Sequence, residues 1–246
     1  MFSFFKKKEP AISDTLSCIG ADMHNHLLPG IDDGSPDVDT SLFLLESLMQ
    51  LGYHTVYCTP HVLGEVHPNT PTSIEDAYRK LKTATDEKGW TSLKGFSAEY
   101  MTDYDFEAIL EKSDLVELPG KRILIEMSFA FESPNIREMI FQLQTKGYEP
   151  ILAHPERYPF YFDRFDKYES FVDAGADLQI NILSLAGYYG KPSQKVAEKL
   201  LDEQLVTWVG TDLHHDRHLA ALQKLAADKN IIKRLERIKL LKNRSL

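Results

Sequence analysis

Between residues 18 and 210, short apolar segments alternate with helix-like segments, and most of the apolar ones end on a histidine or a carboxylate. That combination leaves few folds open. Short apolar strands separated by helices build a parallel sheet covered by helices, since parallel neighbours need crossover connections and are buried on both faces. The strand-like runs are Cys18 to His24, Thr55 to Thr59, Leu93 to Tyr100, Lys121 to Met127, Glu149 to Ala153, Asp177 to Ile182 and Val206 to Gly210. Helices are expected from Pro36 to Leu51, Ser73 to Lys88, Ser133-Pro134 to Gly147, Tyr168 to Ala174 and Ser193 to Glu203, with further helical segments after the last strand. Ser35 is the expected N-cap of the first helix, with Pro36 in its first turn and Gly52 as its C-cap.

Metal ligation is the chemistry that this pattern supports. Neutral imidazoles and ionised carboxylates are together the ligand set of zinc, manganese and iron sites. His24 and His26, two apart, share one face of the first strand, and Asp212 and His214 repeat that spacing after the last. His61 follows Thr59-Pro60, His154 precedes Pro155, and Glu99 and Glu126 stand near the ends of apolar strands, where an unpaired carboxylate is costly. Salt bridges for the glutamates and satisfied core or loop roles for the lone histidines are the competing readings. Recurrence after strands one, two, three, four, five and seven argues against them. Strand ends meet at one point when a sheet closes, as in barrels whose site lies on the C-terminal face, whereas in an open sheet only those at the switch point meet. The distribution therefore favours an α/β barrel.

At 246 residues, 43% of them hydrophobic, the chain fits one large domain, expected over residues 18–246 after an N-terminal tail of residues 1–17. A net charge of −9 argues against nucleic acid as the main partner, although a few local cations or metal ions suffice for a phosphorylated substrate. Cys18 and Cys58 are too few for a disulfide framework, and the start lacks a secretory pattern, so a cytoplasmic location is expected. No apolar run approaches the roughly 18 residues of a spanning helix. Met1-Phe2-Ser3-Phe4-Phe5-Lys6-Lys7-Lys8 sets aromatics beside a basic triplet, which either touches an anionic membrane or a partner or simply frays.

Asp32 and Asp33 precede Gly34, so either serves as a turn residue or completes the site. His54, His67, His215 and His218 lack comparable support and are read as surface or outer-shell groups, and Cys58 as a small buried residue. Cysteine-dependent tyrosine phosphatases need a nucleophilic Cys with an Arg six residues later; here Cys58 is followed six on by Gly64, and Cys18 by His24. That mechanism is excluded. A Gly-rich phosphate loop ending in Lys-Ser or Lys-Thr is also absent.

Several stretches together resemble the polymerase and histidinol phosphatase (PHP) superfamily, and within it the bacterial manganese-dependent protein tyrosine phosphatases of capsule and exopolysaccharide synthesis. They are Asp22-Met23-His24-Asn25-His26, Leu28-Pro29-Gly30-Ile31-Asp32-Asp33-Gly34, Thr59-Pro60-His61, Ala98-Glu99-Tyr100, Ile125-Glu126, Ala153-His154-Pro155-Glu156-Arg157-Tyr158 and Gly210-Thr211-Asp212-Leu213-His214. The resemblance covers about residues 18 to 220. It implies a distorted seven-stranded (β/α) barrel of PHP type and a cluster of up to three ions, Mn²⁺ foremost, with Fe or Zn compatible. The implied ligands are His24, His26, Asp33, His61, Glu99, Glu126, His154, Asp212 and His214, with Asp32 an alternative to Asp33. Arg157 and Arg217 are the implied phosphate contacts, suited by bidentate geometry; surface salt bridging is their competing role.

Such a cluster makes hydroxide available near neutral pH for in-line attack on phosphorus. The expected function is thus a metal-dependent protein-tyrosine phosphatase, its substrate a phosphotyrosine-containing protein such as the tail of a bacterial tyrosine kinase. Tyr100, Phe129, Phe131, Tyr158, Phe160, Tyr161 and Phe162 are candidates to line a pocket rim, with core packing expected for most. Three rivals stand beside this reading: a small-molecule phosphomonoesterase such as a histidinol-phosphate phosphatase, an amidohydrolase-type metal hydrolase, and a metal-dependent phosphopeptide-binding protein without turnover.

Overall fold

Strands with apolar side chains at successive positions need cover on both faces, and the chain supplies it by returning a helix after most strands. In the computed structural model, which describes residues 14–246, the strands are β1 (Ala21–Asp22), β2 (Thr55–Cys58), β3 (His61–Val62), β4 (Leu93–Phe96), β5 (Glu99–Met101), β6 (Arg122–Glu126), β7 (Glu149–Ala153), β8 (Asp177–Asn181) and β9 (Val206–Gly210). The helices are α1 (Val38–Gln50), α2 (Pro71–Glu87), α3 (Tyr104–Lys112), α4 (Ile136–Thr145), α5 (Asp166–Asp173), α6 (Lys191–Asp202), α7 (Asp216–Ala226) and α8 (Lys229–Glu236). The aromatic and basic run Met1 to Lys8 lies outside the described residues. Among those residues, no helix is long and apolar enough to cross a membrane.

All strand pairings among the described residues are parallel, in the orders β1-β2-β4 and β3-β5-β6-β7-β8-β9. The second expected strand, Thr55 to Thr59, is followed past Thr59-Pro60 by β3, which the sequence reading does not contain, and the third is interrupted at Ser97-Ala98 between β4 and β5. Pro60 has no N–H to give to a ladder. Hydrogen bonds nevertheless continue across the breaks: Thr59 N–H donates to the Asn25 carbonyl (2.9 Å), Ser97 N–H to that of Cys58 (2.8 Å) and Glu99 N–H to that of Pro60 (2.9 Å). The segments that follow β1 and β9 also run side by side. Asn25 bridges Leu213, the Asp212 N–H donates to the His24 carbonyl (2.8 Å), and the His26 N–H donates to the Leu213 carbonyl (3.0 Å). Asp22 fastens this junction by accepting from the Thr211 N–H (3.0 Å), the Thr211 hydroxyl (2.7 Å) and the Asn25 amide (3.1 Å).

The element boundaries differ from the sequence expectation where local side chains have other partners. β1 is shorter than Cys18 to His24, because Gly20 takes φ +81° and turns the chain into the strand. Asp37, not Ser35, caps α1 by accepting from the Thr40 N–H at 2.8 Å. Ser35 is buried, and its hydroxyl is engaged with Asp37 O and Ser41. α3 is an element that the sequence reading does not contain; Asp103 caps it, accepting from the Phe106 N–H. Side chains alternate across the strands. Ile123, Ile125, Leu152 and Val209 join the main core, while Leu124, Ile151, Ala153 and Trp208 form a second buried cluster with Met23 and Leu118. The two-residue period carries that second face from Leu124 to Glu126 and from Trp208 to Gly210, so the polar site lies at the end of an apolar plug.

Candidate metal centre

The ends of the strands bring nine residues together in overlapping groups. His24, His26, Glu99 and Asp212 form a buried group; His26, Asp33, His61 and His214 a second; His61, Glu99 and Glu126 a third, each with one potential ligand atom per member within 4.8 Å of the others. His154 joins the third, its Nε2 2.9 Å from Glu99 Oε1 and 3.7 Å from Glu126 Oε2. Both His154 (φ +34°) and Asp212 (φ +51°) hold left-handed backbone immediately past a strand or one residue beyond it. Non-glycine residues adopt that conformation at a cost, and such outliers concentrate at functional sites.

The donor atoms fit metal ions better than they fit one another. Glu99 Oε2 lies 3.1 Å from His24 Nε2, 3.4 Å from His26 Nε2 and 3.2 Å from His61 Nδ1. Yet Glu99 Oε2 and His61 Nδ1 are buried without a hydrogen-bond partner. Most buried polar atoms in folded proteins are paired; atoms that ring a common point without bonding each other are arranged as ligands are. The outer partners agree. Gln179 Oε1 accepts from His24 Nδ1 (2.8 Å), Asp32 from His26 Nδ1 (2.8 Å) and the Asp212 carbonyl from His214 Nδ1 (2.9 Å), which turns each Nε2 toward the centre. Gln179 is itself oriented by donating to Asn181 Oδ1, and Asn181 Nδ2 donates to Asp212 Oδ2 at 2.7 Å.

The two neighbouring aspartates divide the work. Asp32 is buried against His26 and the His61 N–H (3.1 Å). Asp33 reaches into the second group, 3.6 Å from His61 Nε2 and 3.5 Å from His214 Nε2. Burial raises the Asp32 carboxyl, but His26 outweighs it and holds the pKa at about 2. Burial likewise lowers His24, and the Glu99 and Asp212 carboxylates overcome it to set its pKa at about 9. Glu99 and Asp212 are pushed up by burial and held well below the carboxylate range by the surrounding imidazoles.

Above the cluster is a cavity of about 250 Å³ lined by Asp33, His61, Glu126, Phe129, His154 and Arg157, and by Tyr189, Asp212, His214, His215 and His218. Arg157 Nη1 donates to Asp212 Oδ2 (2.7 Å), and its guanidinium lies 4.5 Å from the Phe129 ring centre and 4.1 Å from that of Tyr189. Arg217 is exposed in the first turn of α7 and is not among the lining residues. His215 and His218, read from sequence as peripheral, do line the cavity; burial and His215 lower His218 to about 4. Of the aromatic candidates, Tyr158, Tyr161 and Tyr100 are core residues, and only Phe129, 42% exposed, faces the cavity. Tyr158 has its hydroxyl tied to Met127 N–H and Ala153 O. Tyr189, Gln179 and Asn181 carried no sequence signal, since none is a histidine or a carboxylate.

A glycine permits this closeness. A Cβ on Gly210 would sit 2.6 Å from His24 Cβ and 2.8 Å from Gln179 Nε2. Gly210→Ala is expected to displace both and weaken metal affinity by about 10- to 100-fold, the effect of losing an outer partner. Metal titration of the chelated variant checks this; unchanged affinity contradicts it.

Residues 20–238 match the family model described as capsular polysaccharide synthesis, CpsB/CapC. The tyrosine-protein phosphatase YwqE of Bacillus subtilis (strain 168) is 31% identical over 196 residues, 79% of this chain and 77% of that protein. The tyrosine-protein phosphatase CpsB of Streptococcus pneumoniae is 26% identical over 200 residues, covering 79% and 82%. A crystal structure from work on YwqE and CpsB, described there as unique metal-dependent tyrosine phosphatases, superposes with a TM-score of 0.75 at 27% identity, over 90% of this chain and 96% of its own.

Proposed function

Because the chain belongs to the CpsB/CapC family of capsular polysaccharide synthesis, we propose that it is a metal-dependent protein-tyrosine phosphatase serving capsular or exopolysaccharide synthesis. It hydrolyses phosphotyrosine in a protein, for which we take the tail of a bacterial tyrosine kinase, and acts in the cytoplasm. The observation that carries this reading is a cavity floored by imidazoles and carboxylates and walled by one arginine held between two aromatic rings. Residues 18–246 are read as one domain, a distorted seven-stranded (β/α) barrel. In it β2–β3 and β4–β5 count as single bent strands, and the Asn25–Leu213 bridge joins first to last.

His24, His26, Glu99 and Asp212 would hold one ion, Glu99, Glu126 and His154 a second, and Asp33, His61 and His214 a third. Manganese is the preferred metal, with iron and zinc compatible with the same donors. Ions bound there supply hydroxide near neutral pH and neutralise phosphoryl oxygens. The protein does the rest. Asp212 holds the Arg157 fork for bidentate contact with the phosphate, and Phe129 offers its exposed face to the tyrosyl ring. Arg217, on the exposed first turn of α7, would approach phosphate or peptide from the solvent side. Cys58 takes no part: it is fully buried, and burial pushes its thiol up.

Phosphate release from a phosphotyrosyl peptide tests this, using chelated protein before and after Mn²⁺ addition, with His154→Ala in parallel and histidinol phosphate as competitor substrate. Metal is expected to restore the parent and not the variant, with the peptide the better substrate. A large preference for histidinol phosphate, or metal-dependent peptide binding without release, would sink the reading.

A further inference from the structure

A second concavity, of about 590 Å³, adjoins the first. Its wall includes Leu63, Met101 and Ser128. Each stands two residues past a ligand-type side chain: Leu63 past His61, Met101 past Glu99, Ser128 past Glu126. On extended backbone, residues two apart share a face and lie roughly 6–7 Å apart. The groove is therefore the outward continuation of the metal-site face, with the polar ligands replaced by apolar or small side chains. Phe131 stands on the same loop as Ser128, two residues past the cavity-lining Phe129.

Two aromatic rings stand open to solvent here, Phe131 at 65% and Tyr104 at 84% exposure. Large exposed apolar side chains beside a concave site mark contact with a ligand. The same rim carries the carboxylates of Asp103 and Glu107. A compact phosphate ester would fill the metal-lined cavity and stop there. A polypeptide whose phosphotyrosine occupied that cavity would have to run on over its edge, and this groove begins there, at Ser128 beside the cavity-lining Phe129.

We propose that the groove is a specificity subsite for the chain flanking the phosphotyrosine, taking an apolar aromatic or aliphatic side chain and disfavouring an acidic one. The assignment rests on the phosphatase reading above. The occupant is peptide rather than an anionic membrane, because the Asp103 and Glu107 carboxylates repel the latter.

Steady-state kinetics on three phosphotyrosyl peptides, flanked by Leu and Phe, by Ser, or by Asp, with p-nitrophenyl phosphate as a flankless ester, test the proposal. In the parent, the apolar flank is expected to lower KM by about tenfold relative to Ser, the scale of filling an apolar pocket, and the acidic flank to raise it. Phe131→Ser, a change at an exposed position, should erase the apolar advantage and leave kcat/KM for p-nitrophenyl phosphate within about twofold; Leu63→Ser provides a second variant. Equal KM for all flanks in the parent overturns the subsite while leaving the phosphatase reading intact, as does an equal loss on peptide and p-nitrophenyl phosphate in the variants. Hydrolysis of neither substrate class by the metal-loaded parent overturns both.

Discussion

Glu99→Ala is expected to lower phosphotyrosine hydrolysis at saturating Mn²⁺ by at least about 10³-fold, the upper range for removing one preorganised charge-stabilising group. Glu99 stands in two of the ligand groups and has His154 Nε2 2.9 Å from its other oxygen. Among the described residues, no other carboxylate pairs with His24, His26, His61 and His154 at once. The variant should also retain fewer ions per chain, read by elemental analysis after reloading, while its circular dichroism stays that of the parent. Activity within about tenfold of the parent at saturating metal would contradict the assignment. A linked proton measurement strengthens the test. In the metal-free protein, His24, held at about 9, carries a proton at neutral pH that must leave before its Nε2 can ligate. Metal affinity should therefore rise with pH until about 9, with protons released on binding. Titration calorimetry in two buffers of different ionisation enthalpy reads that release directly. Glu99→Ala removes one of the carboxylates that hold the proton, so release at pH 8 should shrink. Binding without proton exchange in the parent would contradict the displacement of a His24 proton by metal.

Arg157→Ala should cost about 10²-fold in kcat/KM on phosphate esters, and Arg157→Lys should recover little of it, because an ammonium offers neither the planar fork nor the stacking. Phe129 and Tyr189 flank the guanidinium and Asp212 accepts its Nη1 bond, so the fork is preorganised before substrate arrives. The alternative role is to hold Asp212 in place. The two separate experimentally, since Asn181 Nδ2 also donates to Asp212 Oδ2 at 2.7 Å and keeps that carboxylate oriented in the variant. Metal content should stay at the parent level and product inhibition by inorganic phosphate should weaken alongside activity. A fall in metal content with unchanged phosphate inhibition would assign Arg157 to Asp212 alone.

The order of strands and helices was legible because its signals are local. Glu149–Ala153 and Val206–Gly210 appear as strands over the very residues their apolar runs span, and the helix expected from Ser73 to Lys88 appears as α2, Pro71–Glu87. The ligand types were legible for a related reason: histidines and carboxylates at the ends of apolar strands conflict with burial unless something satisfies them, and that conflict is visible without coordinates. α3 was missed because nine residues hold too little periodicity to stand out from a loop. The N-cap of α1 moved from Ser35 to Asp37 because Ser35 is drawn inward to Ser41, a partner that only packing supplies.

The sequence by itself determined which chemical groups sit at the strand ends, that no cysteine nucleophile is available, and that the strands alternate with helices. Only the tertiary structure decided that Asp33 faces His61 and His214 while Asp32 turns to His26. It also decided that Arg157 lines the cavity and Arg217 does not, and that Gln179, Asn181 and Tyr189 belong to the site at all. Local identity fixes backbone preference and burial through neighbours a few residues away. Which of two adjacent side chains meets a common point depends on strands 30 to 190 residues distant, such as the Asp22–Thr211 junction, and on backbone angles like those of His154 and Asp212 that the packed whole imposes against local preference.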